Sequence, residues 1–350
     1  MVKRFAFAVP GDLGTPTGGY AYDRRMIAEL SDLNWQIDLL DLGEGFPWPN
    51  EAARIAARTQ LLAMPAGRTI VVDGLALGVL PEAVSELAGR NPLLALVHHP
   101  LALEAGLSIE QADTLRTSER AALATVQGVV VTSAATARLL TSDYAVPAEH
   151  ITVARPGNDP AQQTQGSRDG IVRLLSVGAV VPRKGFDVLI AALATLTDLP
   201  WQLTIVGDRT RDYNAAARLD TDIASHALES RVAVLGAVLP QRLAALYTGA
   251  DVFVLASYFE GYGMAYAEAV AHGLPVIGTT GGAIPETVPA DAGLLVAPGD
   301  ITELANALRR IVGDAALRRR LAGAARAAAP QLPTWRQSAE IFVHALERLG

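Results

Sequence analysis

The stretch 259-FEGYGMAYAEAVAHGLPVIGT-279 decides how this chain is read. An acidic residue, Glu260, stands between an aromatic residue and a Gly-aromatic-Gly turn, and a second carboxylate, Glu268, follows after seven intervening residues. An amphipathic surface helix needs neither the glycines nor a carboxylate beside them. The preceding 251-DVFVLAS-257 reads as a buried strand and 258–263 as the loop at its carboxyl end. Residues 264–272 then form a helix, closed by Gly273 with Pro275 beyond it. Gly261 and Gly263 let the backbone approach a ligand and leave first-turn N–H groups for it. With the helix dipole, such groups suit a phosphate or an electron-rich sugar oxygen. Glu260 projects into the site from the loop, and Glu268, a turn or so into the helix, suits a pair of hydroxyls. Alone, Glu268 is most simply a solvated helix residue. The whole set favours a ligand site.

Composition sets the class. Of 350 residues, 50% are hydrophobic and 19% charged, which describes a well-buried chain and not a disordered one. That length predicts two domains of ordinary size. A net charge of -7 argues against nucleic acid, whose phosphates want a basic face. With no cysteine, disulfides and thiolate metal sites are excluded. No apolar run approaches the roughly 18 residues of a membrane span. At the start, Pro10, Gly11 and Asp12 cut the apolar run too short for a signal peptide, so a cytoplasmic protein is expected.

Short apolar runs alternate with helical patterns, which predicts α/β architecture with parallel sheets. KRFAFAV, QIDLLDL, TIVVDGL, LLALVHH and GVVVTS are the strands expected in the first half. RLLSVGAV, WQLTIVGD, RVAVLGAV, DVFVLAS, PVIGT and AGLLVA are those of the second. Helices are expected over 22–33, 114–125, 186–196, 240–248 and 301–313. Between the halves, 157-GNDPAQQTQGSRDG-170 lacks periodicity and reads as the linker. Two doubly wound sheets would bind ligands at the carboxyl ends of their strands, and a ligand in a cleft between them would touch both.

The motifs then converge on one family. Glu-Gly-aromatic-Gly-x-x-x-x-Glu at 260–268, the following 271-AHGLPV-276 and 281-GGAIPE-286 resemble the donor site of retaining glycosyltransferases of family four, which have the GT-B fold. The resemblance extends through 14-GTPTGGYAYDRRM-26, 97-VHHP-100, 131-VTS-133, 155-RPG-157, 177-VGAVVPRKGFDVLIAAL-193, 236-GAV-238, 249-GADVFVLAS-257 and 335-WRQSAEIFVHAL-346. It implies two Rossmann-like domains facing each other across a cleft. Residues 1–160 would be the acceptor domain and 170–330 the nucleotide-sugar donor domain, with a C-terminal helix within 331–350 crossing back to the first.

Carried over by position, the resemblance implies that Glu260 lies against the donor sugar and Glu268 holds the ribose hydroxyls. The backbone at Gly261, Tyr262, Gly263 and Met264 would meet the sugar and its phosphate. His98 would contact the sugar from the N-terminal domain, Gly18 and Gly19 would lie near the phosphates and acceptor, and Lys184 would bind the diphosphate. The family's arginine after the glycine of the VG turn is replaced here by Ala179. Arg183, beside Lys184, is the nearest substitute. The implied reaction moves a sugar from a nucleotide diphosphate sugar, a UDP-sugar first and GDP-mannose second, to a small-molecule or lipid-linked acceptor. It needs no metal and no cofactor. Retention without an obvious nucleophile implies front-face attack, with Glu260 as covalent nucleophile the alternative.

Other readings compete. Loop 11-GDLGTPTGG-19, with Asp41 at the end of the second strand, fits an NAD-dependent oxidoreductase, but it is too long for G-x-G-x-x-G and contains Pro16. A non-catalytic sugar-nucleotide binding module is expected to have lost Glu260 or Lys184, and both are present. His98–His99 suggests a metal, yet no third ligand lies at a suitable sequence spacing. Asp220-x-Asp222 falls in a helical stretch and reads as a solvated face. The arginines of 309–326 suit either a soluble helix pair or peripheral contact with anionic lipid, the helix pair being the more ordinary.

Overall fold

The computed structural model describes residues 3–104, 106–167 and 169–349. They form two compact units, Met1–Gly157 with Pro333–Gly350, and Asn158–Leu332.

The first unit begins β1 (Lys3–Val9), α1 (Gly18–Asp32), β2 (Trp35–Asp41), α2 (Glu51–Leu62), β3 (Ile70–Asp73), α3 (Gly74–Leu77) and α4 (Pro81–Ala88). It continues β4 (Leu93–Val97), α5 (Ile109–Leu123), β5 (Gly128–Val131), α6 (Ala134–Asp143) and β6 (Ile151–Val153). The strands form one parallel sheet in the order β2-β1-β3-β4-β5-β6. Order reverses between β1 and β3, so the switch point lies at their carboxyl ends. Strands β3, β4 and β5 are buried throughout, as apolar runs covered on both faces must be.

The second unit contains β7 (Val172–Val177), α7 (Phe186–Ala194), β8 (Trp201–Val206), α8 (Tyr213–Ser225), β9 (Val232–Val234), α9 (Pro240–Gly249) and β10 (Val252–Val254). Then come α10 (Met264–Ala271), β11 (Val276–Thr279), α11 (Ile284–Thr287), β12 (Gly293–Val296), α12 (Ile301–Gly313) and α13 (Ala315–Ala328). Its sheet order, β12-β11-β10-β7-β8-β9, reverses between β7 and β10. Its core includes Trp201, whose indole donates to the Leu196 carbonyl at 2.8 Å and so enters the interior with its polar atom satisfied.

The last helix, α14 (Trp335–Glu347), belongs to the first unit. Gly157 makes this docking possible: a Cβ there would lie 2.1 Å from the Trp335 nitrogen. Trp335 packs against Tyr22 of α1, with ring centroids 5.9 Å apart.

Several boundaries differ from the sequence reading for local reasons. Helix α1 starts at Gly18 and not at residue 22, because Thr17 caps it by accepting from the Tyr20 N–H. Helix α5 starts five residues early, set by a Ser108/Gln111 capping box. The edge strand β6 is only three residues long and half-buried, too short to register as an apolar run. Segment 158–167 is laid along the second unit and is not a free tether. There Gln163 donates to the Ala271 carbonyl, Thr164 to that of Ala250, and the Ser167 N–H to Asp251. The polar side chains that suggested a linker are the ones that stitch it down.

Candidate functional site

In the second unit, the loops after β7 and β10 leave adjacent parallel strands at the switch point. After β7 the chain makes one tight turn, Pro182–Lys184, and enters α7 through Gly185 in the left-handed region at φ 64°. A Cβ at Gly185 would sit 2.1 Å from the Ala256 carbonyl oxygen, so glycine lets this loop lie against the end of β10. The Tyr258 N–H donates to the Arg183 carbonyl at 2.8 Å, joining the two loops.

This contact brings the charged side chains together. Lys184 Nζ donates to Glu260 Oε1 at 2.6 Å, and Ser257 Oγ donates to the same oxygen at 2.6 Å. Arg183 reaches Glu260 Oε2 at 3.3 Å and the Phe259 carbonyl at 2.8 Å. Glu260 is 6% exposed. Burial alone would push its carboxyl up, but Lys184 and Arg183 overcome that and hold it at about 2. Two cations and one carboxylate therefore share a site at the strand ends.

The 281-GGAIPE-286 segment is explained by backbone packing. Gly282 pairs with Glu260 in an isolated parallel bridge, and the Ala283 N–H donates to the Glu260 carbonyl at 2.9 Å. A Cβ on Gly281 or Gly282 would approach the carbonyl oxygens of Tyr258 or Glu260 to 2.2 and 2.3 Å. The Thr287 hydroxyl braces the same loop by donating to the Tyr262 carbonyl.

Gly263, at φ 91°, leads into α10, and no side chain caps that helix among the described residues. Met264 is its first residue, and Glu268 lies within it. Glu268 Oε2 accepts from the Tyr247 hydroxyl at 2.9 Å, and Tyr247 in turn stacks on His272 at 5.0 Å. Burial raises the Glu268 carboxyl, opposed by that hydroxyl and reinforced by Asp159.

In the first unit, Gly18 and Gly19 open α1 and His98 follows β4. A Cβ on Gly19 would lie 3.1 Å from the His98 ring, so the start of α1 rests against it. His98 Nε2 meets Asp23 Oδ1 at 3.1 Å and Asp73 Oδ2 at 3.7 Å. No third ligand stands at a suitable sequence spacing from His98; in space, donor atoms of Asp23, Asp73 and His98 lie within 4.8 Å of one another. Three distant positions converge because α1, β3 and β4 all meet at the carboxyl edge of the sheet. Asp23, Asp73, Ser257 and Tyr247 were not singled out from sequence. A signal existed for Asp23, a charge among Tyr22, Met26 and Leu30 on the buried face of α1.

The remaining candidates resolve simply. Asp220 pairs with Arg209 and Asp222 lies 3.8 Å from Arg218, all on or beside α8. Arg309 is held by Asp198 and Arg318 by the carbonyls of Ile311 and Val312. Among the described residues no helix is long and apolar enough to cross a membrane. The loop after β1 does not enter its helix until Gly18, and Asp41 accepts from the Gly43 N–H at 2.8 Å, a local turn contact.

The chain is similar to known glycosyltransferases. Residues 172–314 match the family model described as glycosyl transferases group 1. The chain is 29% identical to the MMP alpha-(1->4)-mannosyltransferase of Mycolicibacterium hassiacum, over 93% of this chain and 83% of that protein. It is 30% identical to the D-inositol 3-phosphate glycosyltransferase of Stackebrandtia nassauensis over 63% of this chain, spanning about half, 54%, of that relative. In fold it resembles sucrose-phosphate synthase from Thermosynechococcus elongatus, with a TM-score of 0.82, 22% identity and 99% of each chain covered. These likenesses give no support to an oxidoreductase. The chain has the GT-B fold and resembles the glycosyltransferases of family four.

Proposed function

We propose that this chain transfers a hexose, with retention of configuration and without a metal, from a nucleoside diphosphate hexose to an acceptor hydroxyl. The observation that carries the reading is the Lys184–Glu260–Arg183 cluster at the β7/β10 switch point. Two cations beside a buried carboxylate suit a leaving diphosphate next to a sugar that acquires positive charge.

In this reading Lys184 and Arg183 meet the diphosphate, and Arg183 replaces the charge that Ala179 cannot supply. Such preorganised charge lowers the barrier without reorganisation during the reaction. Glu260 faces the sugar, and the backbone of Gly261, Tyr262, Gly263 and Met264 meets the sugar and its phosphate. Glu268, oriented by Tyr247, accepts from the ribose hydroxyls. His98 addresses the sugar, with Gly18 and Gly19 near the phosphates and acceptor. Unit 158–332 is the donor domain and the other unit the acceptor domain.

The mannosyltransferase relative, aligned over 93% of this chain, favours mannose as the sugar, hence GDP-mannose ahead of a UDP-sugar. The acceptor is a small or lipid-linked hydroxyl compound. Thermal shifts with GDP, UDP, ADP and NAD in parallel, followed by product anomer analysis by NMR, test the proposal. A stabilising nucleoside diphosphate and an α-linked product from an α-linked donor are expected. Stabilisation by NAD alone, or an inverted product, would overturn it.

A further inference from the structure

His98 is held by more than one side chain. Asp23 lies on the buried face of α1 and is 0% exposed; Asp73 ends β3 and is 1% exposed. Asp73 Oδ1 accepts from the Leu75 N–H at 2.8 Å, which spends one oxygen on capping α3. Its other oxygen and Asp23 Oδ2 have no hydrogen-bond partner among the described residues. Each is a buried polar atom left over after the fold's own needs are met. Burying carboxylates in this way is costly unless positive charge stands beside them.

The group beside them is the His98 ring. Nε2 lies 3.1 Å from Asp23 Oδ1 and 3.7 Å from Asp73 Oδ2, so both acids face one nitrogen. Tyr22 of α1 is a further titratable neighbour, its ring meeting the imidazole edge-on at 5.3 Å. Its hydroxyl is turned away and donates to the Ala154 carbonyl at 3.0 Å. The Thr132 hydroxyl fixes the His98 backbone by donating to its carbonyl at 3.1 Å. Among the described residues Nδ1 has no hydrogen-bond partner.

We propose that Asp23 and Asp73 are positioning residues that clamp His98 through Nε2 and so make its opposite nitrogen, Nδ1, a hydrogen-bond donor to an oxygen of the donor sugar. This rests on the reading above that His98 addresses the sugar. A single carboxylate on Nε2 would fix the neutral tautomer and leave Nδ1 an acceptor. Two carboxylates on that nitrogen favour the imidazolium, and then both nitrogens donate. The electrostatics agree in direction. Burial pushes His98 down, and Asp23 and then Asp73 more than offset it, for a net rise. Burial and the neighbouring Asp23 raise Asp73 to about 7, so its carboxylate adds to the clamp chiefly above that value and Asp23 is the main holder of the ring.

The sign of the pH effect follows. A raised histidine is a donor at low pH and stops being one as pH rises through its folded value. Turnover should therefore fall on the alkaline side, where a general base would make it rise. NMR of histidine-labelled protein, with the His98 signal assigned from its loss in His98→Asn, reads the ring without any activity. The wild-type ring is expected to titrate above the ordinary value of about 6.5, with both nitrogens protonated below that point. Asp23→Asn should lower its proton affinity tenfold or more, as removal of a close opposite charge does. The same variant should move the alkaline fall of kcat to lower pH while leaving nucleoside diphosphate affinity unchanged. Asp73→Asn should do the same to a smaller extent. A His98 ring that titrates at or below the ordinary value in the wild type would overturn the proposal, as would an unshifted ring in Asp23→Asn. So would one equivalent of a divalent metal in purified protein by elemental analysis, since the cluster would then be a metal site. If the NMR shifts occur but no sugar is transferred, the clamp stands and the transferase reading fails.

Discussion

Glu260→Gln removes one charge and leaves the side chain's shape, so its consequences can be worked out from the contacts. The carboxylate is 6% exposed and accepts from Lys184 at 2.6 Å, Ser257 at 2.6 Å and Arg183 at 3.3 Å. It ionises at about 2 in place of the ordinary 4.5. At about 1.4 kcal/mol per unit, that difference amounts to about 3 kcal/mol of stability. A comparable figure, roughly 3–5 kcal/mol, applies to breaking a buried ion pair by removing one partner's charge. Because the folded value is depressed, this contribution is complete above the ordinary value and is lost as pH falls toward about 2. Urea denaturation of wild type and variant should show a gap of about 3 kcal/mol at pH 7, of which about 1.4 kcal/mol has gone by pH 3.5. A gap below about 1 kcal/mol, or one that does not narrow with acid, would refute the ion-pair account. The ligand response differs in sign. Lys184 and Arg183, no longer neutralised, should bind free nucleoside diphosphate at least as tightly as in wild type. Turnover should fall by about 100-fold or more, because the group facing the sugar is lost. Weaker nucleotide binding with normal turnover at saturation would mean that Glu260 and Glu268 have exchanged roles.

Glu268→Ala should weaken nucleoside diphosphate binding by roughly 1.5–3 kcal/mol, and Tyr247→Phe by less, about 1 kcal/mol, since it only orients the carboxylate. Calorimetry checks both, and unchanged affinity in Glu268→Ala removes the ribose assignment. Arg183→Ala and Lys184→Ala should each lower turnover by about 100-fold, with Arg183→Lys recovering part of the loss because charge returns without the planar fork. Steady-state kinetics decide, and Arg183→Ala within about tenfold of wild type would take Arg183 out of the diphosphate site. Gly185→Ala forces a side chain onto a left-handed residue at φ 64°, with its Cβ 2.1 Å from the Ala256 carbonyl. It should destabilise the second unit by about 2 kcal/mol or more in thermal unfolding, and a loss below about 1 kcal/mol would contradict that packing.

Much of this protein is legible in one dimension because its determinants are local. Buried parallel strands are short apolar runs, so eleven of the twelve described strands stand out, from Lys3–Val9 to Gly293–Val296, and only the three-residue Ile151–Val153 escapes. Gly263, Gly273 and Pro275 delimit α10 by backbone conformation alone, which places Glu260 before the helix and Glu268 within it. Pairing across crossovers is different in kind. The salt bridge from Lys184 to Glu260 spans 76 residues, and nothing near either one specifies it. It exists because strand order reverses between β7 and β10, which sets their loops side by side, and because Gly185 lets one loop lie on the other. The cluster of Asp23, Asp73 and His98 has the same origin in the first sheet. Sequence marks His98 as a residue of interest, but only the shared carboxyl edge of β1, β3 and β4 brings two buried acids to its Nε2. Local sequence determines the elements and their turns; the winding of the sheets decides which side chains meet, since parallel neighbours are joined only by long crossovers.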